Sequence, residues 1–520
     1  MALRYGKTFV AEQDYPIVET TAGQYLGYID DEVFTFKGME YAYADRFQMP
    51  EPPRPFEGVR DAYDYGYGVP EMTYNLKGKR PGDEIEQIGM YWNMDEHLHH
   101  LNVWTKSIDP EAKKPVIFFI HGGGYFGGAS NHLFIYDGWA LAHEYDVVMV
   151  SINHRLNMLG YLDLSSFGER YKNSGNLGQA DIVAALQWVK QNISRFGGDP
   201  DNVTLLGQSG GGGKICTLLQ MPAADGLYHK AIIQSGVFRM GLGPTGAAKM
   251  GEETAKVLGL TRETIQQIET IDYDTLAAAV LKAGENLGIN SFRAWAPKAD
   301  GEYYLGDVRD VGFRPETKDI PILIGSDLRE FDPSPLGRKK TWTREQKLEV
   351  IRERFGDNAE AIAAAFEKAY PDLDISYAAA VDTMFRTGAL QFVRRRLQDG
   401  GAPVYNYVFA YEMMIKGGKL GGHGMEMNFM FHNAPATPGM RKGEVTFRLQ
   451  DEMSGAWTTF AKTGNPNGEG LPVWPAFTKE KETCMVFGDY SRAADHVDTE
   501  LLELIQQEKP IDLGTDRLDK

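Results

Sequence analysis

The chain has 520 residues, of which 42% are hydrophobic and 24% charged. That balance is ordinary for a globular protein and excludes a disordered, collagen-like or membrane-spanning chain. Its 54 Lys and Arg stand against 72 Asp and Glu, and the net charge of -18 repels phosphate backbones and anionic lipid, so neither nucleic acid nor a membrane is expected as a partner.

In chain order, the first clear elements are the apolar, β-branched runs 116–120 (VIFFI) and 147–152 (VVMVSI), both predicted strands. A helix follows over 177–196, with Ile182, Ala185, Leu186, Val189 and Ile193 on one stripe. Strands are predicted next at 203–206, 231–233 and 322–324. Helices over 345–355, 358–369 and 378–398 precede a strand at 404–409. A helix over 451–463, a strand at 485–487 and a helix over 499–508 complete the set. The strands are apolar almost without interruption, as strands buried on both faces are, which fits a mostly parallel or mixed sheet covered by helices. Strands alternating with helices define an α/β fold, whose ligands sit beyond the carboxyl ends of the strands. No repeat at periods of about 20–50 residues is visible. No linker-like tract interrupts the chain, and Pro50 to Pro55 reads as a short surface loop. A single domain over 1–520, with helical insertions, is expected.

Two cysteines, Cys216 and Cys484, cannot build a disulfide framework or a cysteine metal cluster, and point to a reducing compartment. The N-terminal stretch has no apolar core followed by a small-residue cleavage site, and no apolar stretch approaches ~18 residues. A cytoplasmic location is the expectation.

The strongest chemical signal is Gly207-Gln208-Ser209-Gly210-Gly211, directly after the strand at 203–206 and before a helix-compatible run. A serine presented on so tight a strand-to-helix turn needs small flanking residues, and the helix beneath favours developing negative charge. The same run does not make a phosphate-binding loop. Gln208 stands where the first glycine of that motif belongs, and Ile215 where its Ser or Thr belongs. The second signal is His121-Gly122-Gly123-Gly124, at the end of the strand 116–120. Glycines there let backbone N–H groups face a substrate oxygen, so Gly123 and Gly124, with the N–H of Gly210, are the expected oxyanion donors.

A serine nucleophile needs a base, and the base needs an acid, in the order Ser, acid, His. After Ser209 the histidines are His229, His423, His432 and His496. His423, in a glycine loop after the strand 404–409, stands where a base loop falls. His229 comes too early, His432 sits in an apolar run, and His496 lies among charges near the end. The strand at 322–324 leads to Asp327, Glu330 and Asp332, and spacing alone does not choose the acid.

Longer motifs resolve this. Phe36 to Ala42, Leu101-Asn102-Val103 and Asn153-His154-Arg155-Leu156 are similar to F-x-G-I-P-Y-A, L-N-V and N-Y-R-L. Asn192 to Thr204 resembles N-I-x-x-F-G-G-D-P-x-N-V-T, and Trp457 to Pro475 carries a matching C-terminal block. On these the chain, roughly from Thr20 to Phe477, resembles the type-B carboxylesterase/cholinesterase family of α/β-hydrolases. The resemblance implies an α/β-hydrolase fold and serine-dependent hydrolysis of small-molecule carboxylic esters. Its G-x-N-x-x-E-G pattern falls on Gly325, Asp327 and Glu330, making Glu330 the acid, and its H-G falls on His423-Gly424.

Three departures stand out. Gln208 replaces the Glu that usually precedes the nucleophile. The glycine series Gly210 to Gly213, followed by Lys214, is unusual. Each helix glycine costs about 1 kcal/mol, so close packing or extra room is expected. His97 replaces a cysteine of a common disulfide. His97, His99 and His100 resemble a metal cluster only superficially, and neither a metal nor an organic cofactor is expected. Tyr125 and Phe126, beyond the oxyanion glycines, are the expected substrate-pocket residues together with Gln208. An amidase or lactonase on the same triad, or a non-catalytic binding module of this fold, are the alternatives.

Overall fold

The near-continuous apolar runs all become strands of one sheet. In the computed structural model, which describes residues 8–72, 87–289, 294–331 and 341–508, that sheet has twelve strands. They are β1 (Phe9–Val10), β2 (Tyr28–Asp30), β3 (Val33–Glu40), β4 (His100–Thr105), β5 (Lys114–Ile120) and β6 (Val148–Ile152). The second half contributes β7 (Gly198–Gln208), β8 (Lys230–Gln234), β9 (Ile322–Asp327), β10 (Val404–Phe409), β11 (Cys484–Phe487) and β12 (Arg492–Ala494). The spatial order is β1-β2-β3-β4-β6-β5-β7-β8-β9-β10-β11-β12. From β6 to β11 every neighbouring pair is parallel, and the antiparallel pairs lie at the two sides.

Side chains on β5 alternate between the faces. Val116, Phe118 and Ile120 join one apolar cluster, while Ile117 and Phe119 join another. The first cluster takes in α1 (Leu177–Asn192), and the second takes in the long helix Glu444–Thr463 through Leu449, Met453, Trp457 and Phe460. The central strands are therefore covered on both sides, as their unbroken apolarity predicted. A third cluster sits at one end of the molecule, under α3 (Gly243–Val257) and α4 (Tyr273–Leu287), and reaches Tyr125 and Trp295. Those two helices were not predicted. Their buried faces combine Ala and Gly with Met250, Leu276 and Val280, an amphipathic pattern that the sequence does carry.

Three predicted helices differ in extent. The 177–196 helix ends at Asn192 and tightens into a short 3-10 turn before Gly197. The predicted 378–398 helix is broken. Residues 375–380 form a 3-10 turn, and α5 (Phe385–Asp399) starts afresh because Asp382 accepts from the N–H groups of Met384 (3.2 Å) and Arg386 (2.7 Å). The last long helix begins at Glu444 rather than 451. No helix among the described residues is long and apolar enough to cross a membrane.

Because β5 to β10 lie in the parallel part, their carboxyl ends share one edge of the sheet. β5 runs into His121, β7 into Ser209, β9 toward Glu330, and β10 leads through a short hairpin to His423. Residues separated by up to 302 positions thus reach one place, and the fold does this through strand register alone.

Candidate active site

Ser209 leaves β7 with φ +56° and ψ -125°, a strained conformation for a residue with a side chain. Its N–H donates to Gln234 O at 2.8 Å, tying the turn to β8. α2 (Gly210–Leu218) starts at once. The glycines explain how so tight a turn is reached. A Cβ on Gly211 would lie 2.0 Å from Ile120 O, and one on Gly210 would lie 2.1 Å from Gly124 O. α2 therefore lies directly on the backbone of the His121–Gly124 segment. Gly213 differs, since its nearest neighbours are the Tyr125 hydroxyl and the Phe238 ring. Of the two alternatives expected of the glycine series, close packing is realised throughout: even at Gly213 a Cβ would lie 2.7 Å from the Tyr125 hydroxyl.

The His121–Gly124 segment crosses in front of Ser209. A Cβ on Gly122 would lie 3.3 Å from Ser209 Cβ. Gly123 and Gly124 have φ of +86° and +61°, accessible to glycine without strain.

Glu330 Oε2 accepts a short hydrogen bond from His423 Nδ1. Oε1 accepts from Ser235 Oγ at 2.7 Å and from the Asp327 N–H at 3.1 Å. Burial pushes the Glu330 carboxyl up, to about 8, yet the groups bonded to it are donors, the surroundings of a carboxylate. Burial likewise pushes His423 down to about 4, against the pull of Glu426 and Asp382, so its resting state is the neutral imidazole. With Nδ1 protonated toward Glu330, Nε2 carries the free lone pair. The Gln208 amide nitrogen stands 3.4 Å from Nε2, and a Cβ on Gly424 would lie 3.3 Å from that nitrogen. The His423 loop, Gln208 and Ser209 are therefore neighbours. Among the described residues no hydrogen bond joins Ser209 Oγ to the imidazole.

Phe331 and Phe385 pack on the imidazole, with ring centroids 4.1 Å and 5.0 Å away. Phe385 continues to Phe238 (5.4 Å) and Phe238 to Tyr125 (6.3 Å). Tyr125, Gly213, Cys216 and Phe238 line a cleft of about 220 Å³ beside α2. Tyr125 thus lines this cleft. Phe126 is half-buried with its ring against Gly124, where a Cβ would meet it at 2.4 Å. Burial pushes the Cys216 thiol up to about 12, so it stays protonated.

Several site residues carried no sequence signal strong enough to single them out. Ser235 lies one residue beyond β8. Asp382 belongs to the cap of α5. Glu426 lies three residues after His423, and that nearness was the one available clue. Asp327 Oδ2 accepts from the Gly424 N–H at 3.0 Å, and Glu426 Oε1 accepts from Gln234 Nε2 at 3.0 Å. Asp327 and Glu426 are buried next to each other, and two buried carboxyls side by side disfavour ionisation of both. Burial and the neighbouring Glu426 and Glu330 drive Asp327 far above the usual carboxyl range, so Asp327 holds a proton.

The other candidates lie elsewhere. Asp332 lies outside the described residues. His229 Nδ1 accepts from the Val203 N–H (3.1 Å), His432 Nδ1 bonds Ser454 Oγ (3.0 Å) and His496 Nε2 donates to Glu480 O (2.9 Å). His97 stacks on Tyr43, His99 pairs with Asp181 at 3.1 Å, and His100 sits against Gly66.

A mostly parallel sheet flanked by helices, with a strained serine turn at its carboxyl edge, is the α/β-hydrolase fold. The model of the carboxylesterase family matches residues 14–504, and the chain belongs to that family. It is a carboxylic ester hydrolase. It is 33% identical over 489 residues to the para-nitrobenzyl esterase of Bacillus subtilis (strain 168), covering 91% of this chain and 94% of that protein. It is 30% identical to the human (Homo sapiens) cocaine esterase, over 90% of this chain and 87% of that one. A solved structure of an esterase from anaerobic Clostridium hathewayi, described as able to hydrolyse aliphatic aromatic polyesters, matches with a TM-score of 0.89. The two are 39% identical, over 96% of this chain and 99% of that one.

Proposed function

We propose that Ser209, His423 and Glu330 hydrolyse the ester through an acyl-enzyme, with the oxyanion held by the N–H groups of Gly123, Gly124 and Gly210. The observation that carries this reading is the Glu330–His423 hydrogen bond beside a serine at φ +56°. His423 Nε2 takes the proton from Ser209 Oγ as that oxygen attacks the acyl carbon. Glu330 fixes the tautomer and stabilises the imidazolium as it forms. The tetrahedral intermediate places its negative oxygen at the glycine amides, each worth about 3 kcal/mol when removed. The imidazolium then protonates the leaving alcohol. Water, activated by the neutral imidazole, attacks the acyl carbon and releases the acid and free Ser209.

The aromatic series Tyr125, Phe238, Phe385 and Phe331 favours esters with an aromatic or bulky apolar group. The relatives named for para-nitrobenzyl, cocaine and aliphatic aromatic polyester substrates support the same class. Gln208, close to Nε2, presents an amide where a charged residue would attract cations.

The test compares wild type, Ser209→Ala and His423→Ala on p-nitrophenyl acetate, butyrate and octanoate, with a fluorophosphonate label located by mass spectrometry. The expected result is label on Ser209 and a loss of at least about 10⁴-fold in both variants at unchanged melting temperature. Activity surviving in Ser209→Ala would overturn the reading. The chain-length profile of the wild type measures the acyl pocket.

A further inference from the structure

Lys214 has no part in the chemistry above, and it is fully buried. Among the described residues no carboxylate pairs with it. Its ammonium donates to Gly124 O at 2.9 Å and to His121 O at 3.3 Å, and stands 5.6 Å from the Tyr125 ring centroid. The titratable groups facing it are His121, His132 and His154, all held neutral, mainly by burial. A buried ammonium without a counter-charge is costly, so its placement on two backbone carbonyls needs a reason.

The carbonyls of the glycine segment supply one. A trans peptide points its C=O and its N–H in opposite directions. The Gly122 carbonyl accepts from His121 Nδ1 at 2.9 Å, which turns the Gly123 N–H the other way. The Gly123 carbonyl accepts from the N–H groups of Phe126 and Gly127, both at 3.3 Å, which turns the Gly124 N–H the other way. The two flanking carbonyls, His121 O and Gly124 O, both go to Lys214. All four carbonyls are thus engaged, and Lys214 bonds both ends of the segment. Glycines have no side chains with which to anchor themselves, and they lose the most conformational entropy on being fixed. α2 meets the segment with glycines of its own, so Lys214 is the side chain of that helix that reaches the segment's carbonyls.

We propose that Lys214 is the positioning residue of the oxyanion hole: by bonding both ends of the His121–Gly124 segment it holds the Gly123 and Gly124 amides toward Ser209. The inference rests on the triad reading above. It assigns a role to the lysine that follows the glycine series, which a phosphate-binding loop does not explain. Burial holds Lys214 at about 7, so both its charged and neutral forms are populated near neutrality, and each retains N–H donors for the two carbonyls.

The test uses Lys214→Met, which keeps the apolar stem and removes the donors, and Lys214→Gln, which keeps an amide donor. For each variant kcat and KM are measured on p-nitrophenyl butyrate. Affinity is measured for an alkyl trifluoromethyl ketone, which forms a tetrahedral adduct, and for the matching methyl ketone, which does not. Lys214→Met is expected to lose about 10- to 100-fold in kcat, with KM within about twofold. The trifluoromethyl ketone should weaken in parallel while the methyl ketone does not, and Lys214→Gln should recover part of the loss. Wild-type kcat and ketone affinity in Lys214→Met, an equal loss for both ketones, or failure of both variants to fold would each overturn the inference. If Ser209→Ala keeps its activity, the triad reading fails instead. If Ser209→Ala is inactive while Lys214→Met is unaffected, only the role of Lys214 is refuted.

Discussion

His423 shows how one side chain's surroundings set a pH profile. Burial opposes the imidazolium, and only the neutral ring can take the Ser209 proton, so activity should persist down to pH about 4. In Gln208→Glu a carboxylate replaces the amide that stands 3.4 Å from Nε2. It stabilises the imidazolium, and the acid limb of kcat/KM should move to higher pH. An unmoved limb in a pH–rate series would show that Gln208 does not face the base in solution. The protonated Asp327 offers a stability test. Its folded pKa is raised, so its contribution is present below the ordinary carboxyl range and is lost as pH rises through the folded value. Glu426, pushed by burial to about 7, behaves likewise. Asp327→Asn can donate to Glu426 and accept from Gly424 without a bound proton. Its melting temperature, relative to wild type, should therefore rise steadily from about pH 5 to pH 8. A constant difference would exclude the proton on Asp327.

At the scale of the element, α2 distinguishes two uses of glycine. A Cβ on Gly211 meets the Ile120 carbonyl at 2.0 Å, and neither backbone can yield. Gly211→Ala should cost about 3 kcal/mol in urea denaturation and reduce activity as the oxyanion segment shifts. On Gly213 the nearest atom is the end of the Tyr125 side chain, at 2.7 Å, which has more freedom to move. Gly213→Ala should cost less stability and act on the cleft, raising KM for bulky esters more than for acetate. The same element shows what patterning reveals. The strand before α2 and the small residues at its start were legible, because a buried strand is apolar and a tight turn excludes side chains. The nearest neighbours of Gly210, Gly211 and Gly213 lie at Gly124, Ile120 and Tyr125, and no spacing within 207–213 encodes them. α3 and α4 differ, since both carry an amphipathic pattern that is legible in the sequence.

Across the whole molecule, two buried ion pairs join distant segments. Arg155 grips Asp181 through both carboxylate oxygens, at 2.7 Å and 2.9 Å, and His99 adds a contact at 3.1 Å. Arg386 of α5 grips Asp498 at 2.8 Å and 2.9 Å, next to Tyr370 and Asn406. Burial alone would raise Asp498, but Arg386 holds its carboxyl below the usual range. Its stabilisation is therefore present above the unfolded carboxyl pKa and is lost as pH falls through the folded value. Asp498→Asn leaves a buried guanidinium without its counter-charge and should cost about 3–5 kcal/mol at pH 7 by denaturant titration. Because α5 carries Phe385, which packs on His423, activity should fall well before unfolding is complete.

The α/β class, the serine turn after its strand and the glycine runs at 121–124 and 210–213 were legible in the sequence alone, because each rests on local constraint. Buried strands must be apolar, a tight turn must be small, and a motif of fixed spacing must stay contiguous. The tertiary structure decided what depends on contact between remote segments. It placed Glu330 on His423, buried Asp327 beside Glu426, and set Lys214 on the carbonyls of His121 and Gly124. Such contacts come from parallel strand register and from burial, which shifts a proton or isolates a charge only once the chain has closed around it.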